Sequence, residues 1–151
     1  MTAKYIEPAG APIDSKPNPP QRILVVEDDV VTLRINIKVL TKSGYEVDGA
    51  EDGAVAWDAL QLNGYDLIVT DNDMPNVSGV DLLKKLYAAR MALPVIMVSG
   101  TMPTAELERQ PWLQIKAALH KPCVVSELLG AVKNAMLASG GTRAEIAPSP
   151  N

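Results

Sequence analysis

The sequence predicts an α/β domain, five βα units wound into a parallel sheet with helices on both faces. Two patterns point there. Short apolar runs rich in β-branched residues recur, several of them without polar alternation, as strands buried on both faces require. Between them lie amphipathic segments whose apolar residues repeat every three or four positions, as in helices packed on a sheet.

The elements follow in order. Ile23-Leu24-Val25-Val26 is the first strand. Val30 to Lys42 is a helix with Val30, Leu33, Ile37 and Leu40 on one face, stopped by Gly44. Tyr45 to Ala50 is the second strand, Gly53 to Leu62 the second helix, ending near Gly64, and Asp66 to Thr70 the third strand. Ser78 opens a helix through Arg90 that carries Val80, Leu83, Leu86 and Tyr87, and Pro94 to Val98 is the fourth strand. A weak helical segment runs from Pro103 towards Arg109. Ile115, Ala117 and Leu119 alternate as a fifth strand, and Ser126 begins a last helix with Leu128, Leu129, Val132 and Met136. No segment repeats another, so a solenoid is not indicated.

Composition bounds what surrounds this domain. Five of the twelve prolines (Pro8, Pro12, Pro17, Pro19, Pro20) stand in residues 1–20, which read as an extended arm. Residues 139–151, with Gly140, Gly141, Pro148 and Pro150, read as a flexible tail, leaving residues 21–138 for the folded domain. The net charge of -4 gives no electrostatic footprint for nucleic acid. No apolar run is long enough for a membrane span and no leader is visible, so a cytoplasmic protein is expected. Cys123 is the only cysteine and His120 the only histidine, which excludes an intrachain disulfide and a Cys/His zinc site.

Open parallel sheets bind ligands at the carboxyl ends of their strands. Here those ends carry Glu27-Asp28-Asp29, Asp71, Ser99 and Lys121-Pro122. If the strand order is 2-1-3-4-5, Glu27, Asp28 and Asp71 come within about 4 to 6 Å, where each carboxylate pair repels by roughly 3 kcal/mol at an effective dielectric near 20. A positive charge must sit among them. Carboxylates without histidine or thiolate suit a hard cation, and two or three oxygens completed by water fit Mg²⁺ better than Ca²⁺. Lys121 adds a second positive charge. A phosphoryl group then has a place, its oxygens neutralised by metal and lysine, with Ser99 donating to one and Asp71 as the in-line nucleophile.

These residues form a pattern. Leu24-Val25-Val26-Glu27-Asp28, then Asp71-Asn72-Asp73-Met74-Pro75-Asn76-Val77-Ser78-Gly79, then Val98-Ser99, then Lys121-Pro122 stand in order at four strand ends. Over residues 21–138 the chain resembles the receiver domain of response regulators, of the chemotaxis-regulator-like kind. The resemblance implies a flavodoxin-like fold and aspartyl phosphorylation at Asp71 by a sensor histidine kinase or histidine phosphotransfer protein. It implies Glu27, Asp28, Asp71 and the backbone carbonyl of Asp73 around Mg²⁺, Ser99 as the switch hydroxyl, and Lys121 as the phosphate-binding lysine. It also implies output through the face of the fourth helix, fifth strand and fifth helix, by self-dimerisation or docking to a downstream protein. With thirteen residues after Ala138, a stand-alone switch is expected, catalysing only its own phosphorylation and slow dephosphorylation.

Four positions depart from the family pattern. Ala118 stands where many members carry Tyr or Phe, so the aromatic half of the switch is missing. Gly100 replaces a common Ala, Cys123 replaces a frequent Phe, and Asp73 adds a carboxylate two residues after the phosphoacceptor. Two other function classes compete with the switch. One is a phosphorylation-independent binding module, favoured by Ala118 and opposed by the intact acids and Lys121. The other is an aspartyl-phosphate phosphohydrolase with Asp73 as general acid, opposed by the lack of a cap domain and by metal acids that precede the nucleophile. The remaining polar and aromatic residues have ordinary readings: Asp29 caps the first helix, His120 and Cys123 are incidental, and Trp57 and Trp112 pack.

Overall fold

A computed structural model describes residues 20–138. The expected arm, apart from Pro20, and the expected tail lie outside the described residues. The chain runs β1 (Arg22–Val26), α1 (Val30–Lys42), β2 (Glu46–Ala50), α2 (Gly53–Leu62), β3 (Leu67–Thr70), α3 (Gly79–Ala88), β4 (Val95–Ser99), α4 (Thr104–Arg109), β5 (Ala117–His120) and α5 (Val125–Ala138). All strand pairings are parallel, and the order across the sheet is β2-β1-β3-β4-β5. This is the expected doubly wound (βα)5 arrangement.

The three inner strands, β1, β3 and β4, are almost wholly apolar and buried because the sheet divides the core into two layers. Leu24, Val26, Ile68, Val95 and Met97 face one cluster, built with Ala56 and Leu60 of α2 and Val80, Leu83 and Leu86 of α3. Ile23, Val25, Leu67, Val69, Ile96 and Val98 face the other, with Leu33 and Leu40 of α1 and Leu128, Val132 and Met136 of α5. Successive side chains of a strand point to opposite faces, so continuous hydrophobicity here is two interleaved alternations.

Local chemistry sets the helix ends. Asp29, Asp52 and Ser78 cap α1, α2 and α3 by accepting from Thr32, Val55 and Asp81 N–H groups, and Asp81 completes a reciprocal box on Ser78. α1 stops at Gly44, whose φ of 101° only glycine adopts without strain. The N–H groups of Gly44 and Tyr45 return to Thr41 and Leu40 carbonyls, a Schellman closure. α3 ends the same way two residues short of Arg90, which itself takes the left-handed position at φ 57°. Arg90 N–H donates to Tyr87 O and Met91 N–H to Leu86 O, both at 3.0 Å.

The weakest expectations lay around α4 and β5. α4 is only six residues long, buries none of them and has no side-chain cap at Pro103. β5 begins at Ala117 rather than Ile115 and pairs only with β4, so half of its residues, Ala118 and His120 among them, are exposed. Just beyond α4, the rings of Trp112 and Tyr87 meet at 6.4 Å.

Candidate functional site

The sheet ladder runs one residue past three strand ends, and those residues carry the charges. Glu27 N–H donates to Ala50 O at 3.0 Å, Asp71 N–H to Val26 O at 3.1 Å, and Lys121 N–H to Ser99 O at 3.1 Å. Backbone pairing thus fixes where the acids and the lysine leave the sheet, while α1 begins three residues beyond Glu27 with Asp29 as its cap. Capping and clustering are divided between neighbouring acids, as expected.

Glu27 and Asp71 are 3% and 5% exposed and Asp28 is exposed, yet one carboxylate oxygen of each lies within 4.8 Å of the others. Lys121 Nζ bridges the two buried members, donating to Glu27 Oε1 at 2.7 Å and to Asp71 Oδ2 at 3.0 Å. Glu27 Oε2 accepts from Asp29 N–H at 3.1 Å. Asp71 Oδ1 accepts from the N–H groups of Asn72 at 2.6 Å and Asp73 at 3.2 Å. Burial raises the Glu27 carboxyl above its ordinary range, against the pull of the lysine. Burial works against the charge of Lys121, but its bonds to Glu27 and Asp71 outweigh that and raise its pKa.

Ser99 is fully buried at the end of β4. Its hydroxyl faces two acceptors, Asp73 Oδ2 at 3.3 Å and Thr101 O at 3.1 Å, and accepts from Thr101 N–H at 3.2 Å. The structure therefore brings Glu27, Asp28, Asp71, Asp73, Ser99 and Lys121 to one end of the sheet.

Three contributors were not foreseen. Asn72 Oδ1 accepts from Val80 N–H at 3.0 Å, tying the loop after β3 to the first turn of α3. Gly79 lets α3 abut the backbone beneath the acid, since a Cβ there would stand 2.5 Å from Asp71 O and 2.9 Å from Asn72 Cα. Thr101 holds Ser99 from behind. Only the spacing of Asn72 and Gly79 around a turn is visible in sequence; Thr101 carries no signal there.

The donor set fits Mg²⁺. It consists of hard carboxylate oxygens, at least three of which can face one centre, with no thiolate or imidazole among them. A depression of about 280 Å³ opens beside it, lined in part by Glu27, Lys121, Ile35, Cys123 and Leu128.

Residues 23–133 match the family model of the response regulator receiver domain. The chain belongs to this family. Receiver domains are phosphoacceptor modules of two-component signalling that take phosphate from histidine kinases or phosphotransfer proteins. The chain is 34% identical over 123 residues to the probable transcriptional regulatory protein SilR of Salmonella typhimurium, covering 80% of this chain and 53% of that protein. It is 32% identical over 111 residues to the sensor protein EvgS of Escherichia coli K12, covering 73% of this chain and 9% of that protein. The chain thus spans about half the length of the curated regulator and a small part of the sensor. A CheY-like receiver domain from Methanospirillum hungatei superposes with a TM-score of 0.76 at 25% identity, over 82% of this chain and 98% of that one. A receiver protein from Pseudomonas putida does so with 0.71 at 30% identity, over 78% and 98%. Among the described residues no helix is long and apolar enough to cross a membrane.

Proposed function

We propose that this receiver domain is a Mg²⁺-dependent switch phosphorylated on Asp71 by a partner histidine kinase or histidine phosphotransfer protein. The observation that carries the reading is the bridge of Lys121 across Glu27 and Asp71, with Asp28 within 4.8 Å. A structural ion pair needs one acid per lysine; three crowded acids need a further cation, and a phosphoryl group would add yet more negative charge.

Asp71 acts as the nucleophile. Two backbone N–H groups hold Oδ1 and Lys121 holds Oδ2, so the carboxylate is oriented before a donor arrives. A carboxylate oxygen bonds to phosphorus as the P–N bond of the donor phosphohistidine breaks, and the electron pair leaves with the imidazole nitrogen. Lys121 then pairs with a phosphoryl oxygen, and Ser99 donates its hydroxyl to another. Glu27, Asp28, Asp71 and the Asp73 carbonyl would hold Mg²⁺, which supplies charge neutralisation for the phosphoryl oxygens. Water returns the domain slowly to its resting state.

The depression beside Lys121 offers the donor an approach from the α1 side. Output passes through protein contact on the face of α4, β5 and α5, to a second copy or a downstream protein. With Ala118 in place of an aromatic, Ser99 and the loop beyond it carry the change. This acidic domain itself has no nucleic acid or membrane among its partners, and its place is the cytoplasm.

Intact-mass measurement after incubation with acetyl phosphate tests the reading. A Mg²⁺-dependent gain of one phosphoryl group, lost in Asp71→Asn, is expected. No adduct under conditions that label other receiver domains would overturn it in favour of a phosphorylation-independent binding module.

A further inference from the structure

Resting on that reading, we infer that Asp73 is a positioning residue that latches the Ser99 hydroxyl in the unphosphorylated chain and must be evicted before Ser99 can engage a phosphoryl group. Ser99 is 0% exposed, so its single hydroxyl hydrogen has only protein acceptors, Asp73 Oδ2 and Thr101 O. No lysine or arginine among the described residues lies within ion-pair distance of Asp73. Its backbone N–H is held on Asp71 Oδ1 at 3.2 Å, so the residue stays next to the acidic cluster. The Ser99 hydroxyl donates to this exposed carboxylate, and a hydrogen bond to a carboxylate is stronger than one to a neutral carbonyl.

The consequence lies in the competition. A phosphoryl group on Asp71 places about two negative charges where the carboxylate carried one, at the acceptor position that Ser99 would serve. Both anions cannot share one hydrogen, and like charges separate. Asp73 then swings towards solvent, which its exposed position permits, and Ser99 turns to the phosphoryl oxygen. That exchange unties the loop after β3, which carries Asp73, from the loop after β4, which carries Ser99 and Thr101. In a chain with Ala118, this release transmits occupancy of Asp71 to the segment leading into α4. The latch also slows phosphorylation, because the hydroxyl is occupied when the donor arrives.

The test compares labelling rates with acetyl phosphate and Mg²⁺ for the wild type, Asp73→Ala, Asp73→Asn, Ser99→Ala and the double variant Asp73→Ala/Ser99→Ala. Losing one hydrogen bond worth about 1 kcal/mol predicts labelling about fivefold faster in Asp73→Ala. Asp73→Asn, which keeps an acceptor without the charge, falls between. In the Ser99→Ala background, removing Asp73 has no effect. Equal rates in Asp73→Ala and wild type, or the same acceleration without Ser99, overturn the latch while leaving the phosphoacceptor reading intact. Amide hydrogen exchange in the resting protein needs no phosphodonor and separates the two ideas. Residues 72–74 and 100–102 exchange faster in Asp73→Ala if the latch exists, and unchanged protection there overturns it even should no variant label.

Discussion

Replacing Lys121 by methionine keeps the aliphatic stem and removes the charge that bridges Glu27 and Asp71. At 2.7 and 3.0 Å and an effective dielectric near 20, the two attractions are about 6 and 5.5 kcal/mol before desolvation. The acids left behind repel one another by at least about 3.5 kcal/mol at separations up to 4.8 Å. Desolvation of the ammonium cancels much of the attraction in the wild type, and removal of one partner from a buried pair ordinarily costs about 3 to 5 kcal/mol. The Lys121 side chain is 30% exposed, so the lower end, about 3 kcal/mol, is expected. Urea unfolding in EDTA measures it. The protein can soften the loss by protonating Glu27, whose carboxyl burial already raises. A carboxyl with a raised folded-state pKa adds stability while protonated and loses it as pH climbs through that pKa. The deficit is therefore smaller near about pH 5 than near about pH 8. A loss below about 1 kcal/mol, or a deficit independent of pH, would refute the bridge as the neutraliser of the buried acids.

Three further outcomes follow from other parts of the molecule. Arg90→Gly should stabilise the fold by about 1 kcal/mol in chemical denaturation, because the left-handed residue closing α3 no longer carries a Cβ. Tyr65 donates to Asp48 at 2.6 Å, and burial with that partner raises its phenol from 10.0 to about 12. Its stabilising contribution, at most about 2.7 kcal/mol, is complete below the unfolded value and drains as pH rises through the folded one. Tyr65→Phe should lose about 1 kcal/mol at neutral pH and lack that alkaline decline in pH-dependent denaturation. Mg²⁺ at tenfold its dissociation constant should raise wild-type stability by about 1.4 kcal/mol in thermal melts, and Asp28→Asn should reduce the gain.

Most of this architecture was legible in the amino-acid order because the three inner strands are buried on both faces. Leu24-Val25-Val26 and Val95-Ile96-Met97-Val98 admit no other comfortable place in a domain this size. The site was legible for a related reason, since polar residues that end such runs must emerge at one edge of the sheet. β5 was less clear: it is an outer strand, half exposed, and its alternation blurs where pairing with β4 begins. The engagement of Asp73 with Ser99 could not be read at all. It joins residues 26 apart through two loops whose closeness only the folded sheet creates. Lys121 was foreseen as a partner for phosphate, whereas in the resting domain it is already spoken for by Glu27 and Asp71.

A sheet that is greasy on both sides has little to tell one alignment of its strands from the next. Sliding β3 by a residue against β1 exchanges one aliphatic layer for another, and hydropathy alone scarcely objects. The acids at the strand ends do. Drawing Asp71 or Glu27 one step inward would set a carboxylate among Val26, Met97 and their neighbours, away from Lys121, at a cost of several kcal/mol. The residues proposed for signalling thus also serve as alignment marks during folding, and a variant that neutralises several of them at once loses a guide to how its strands should meet.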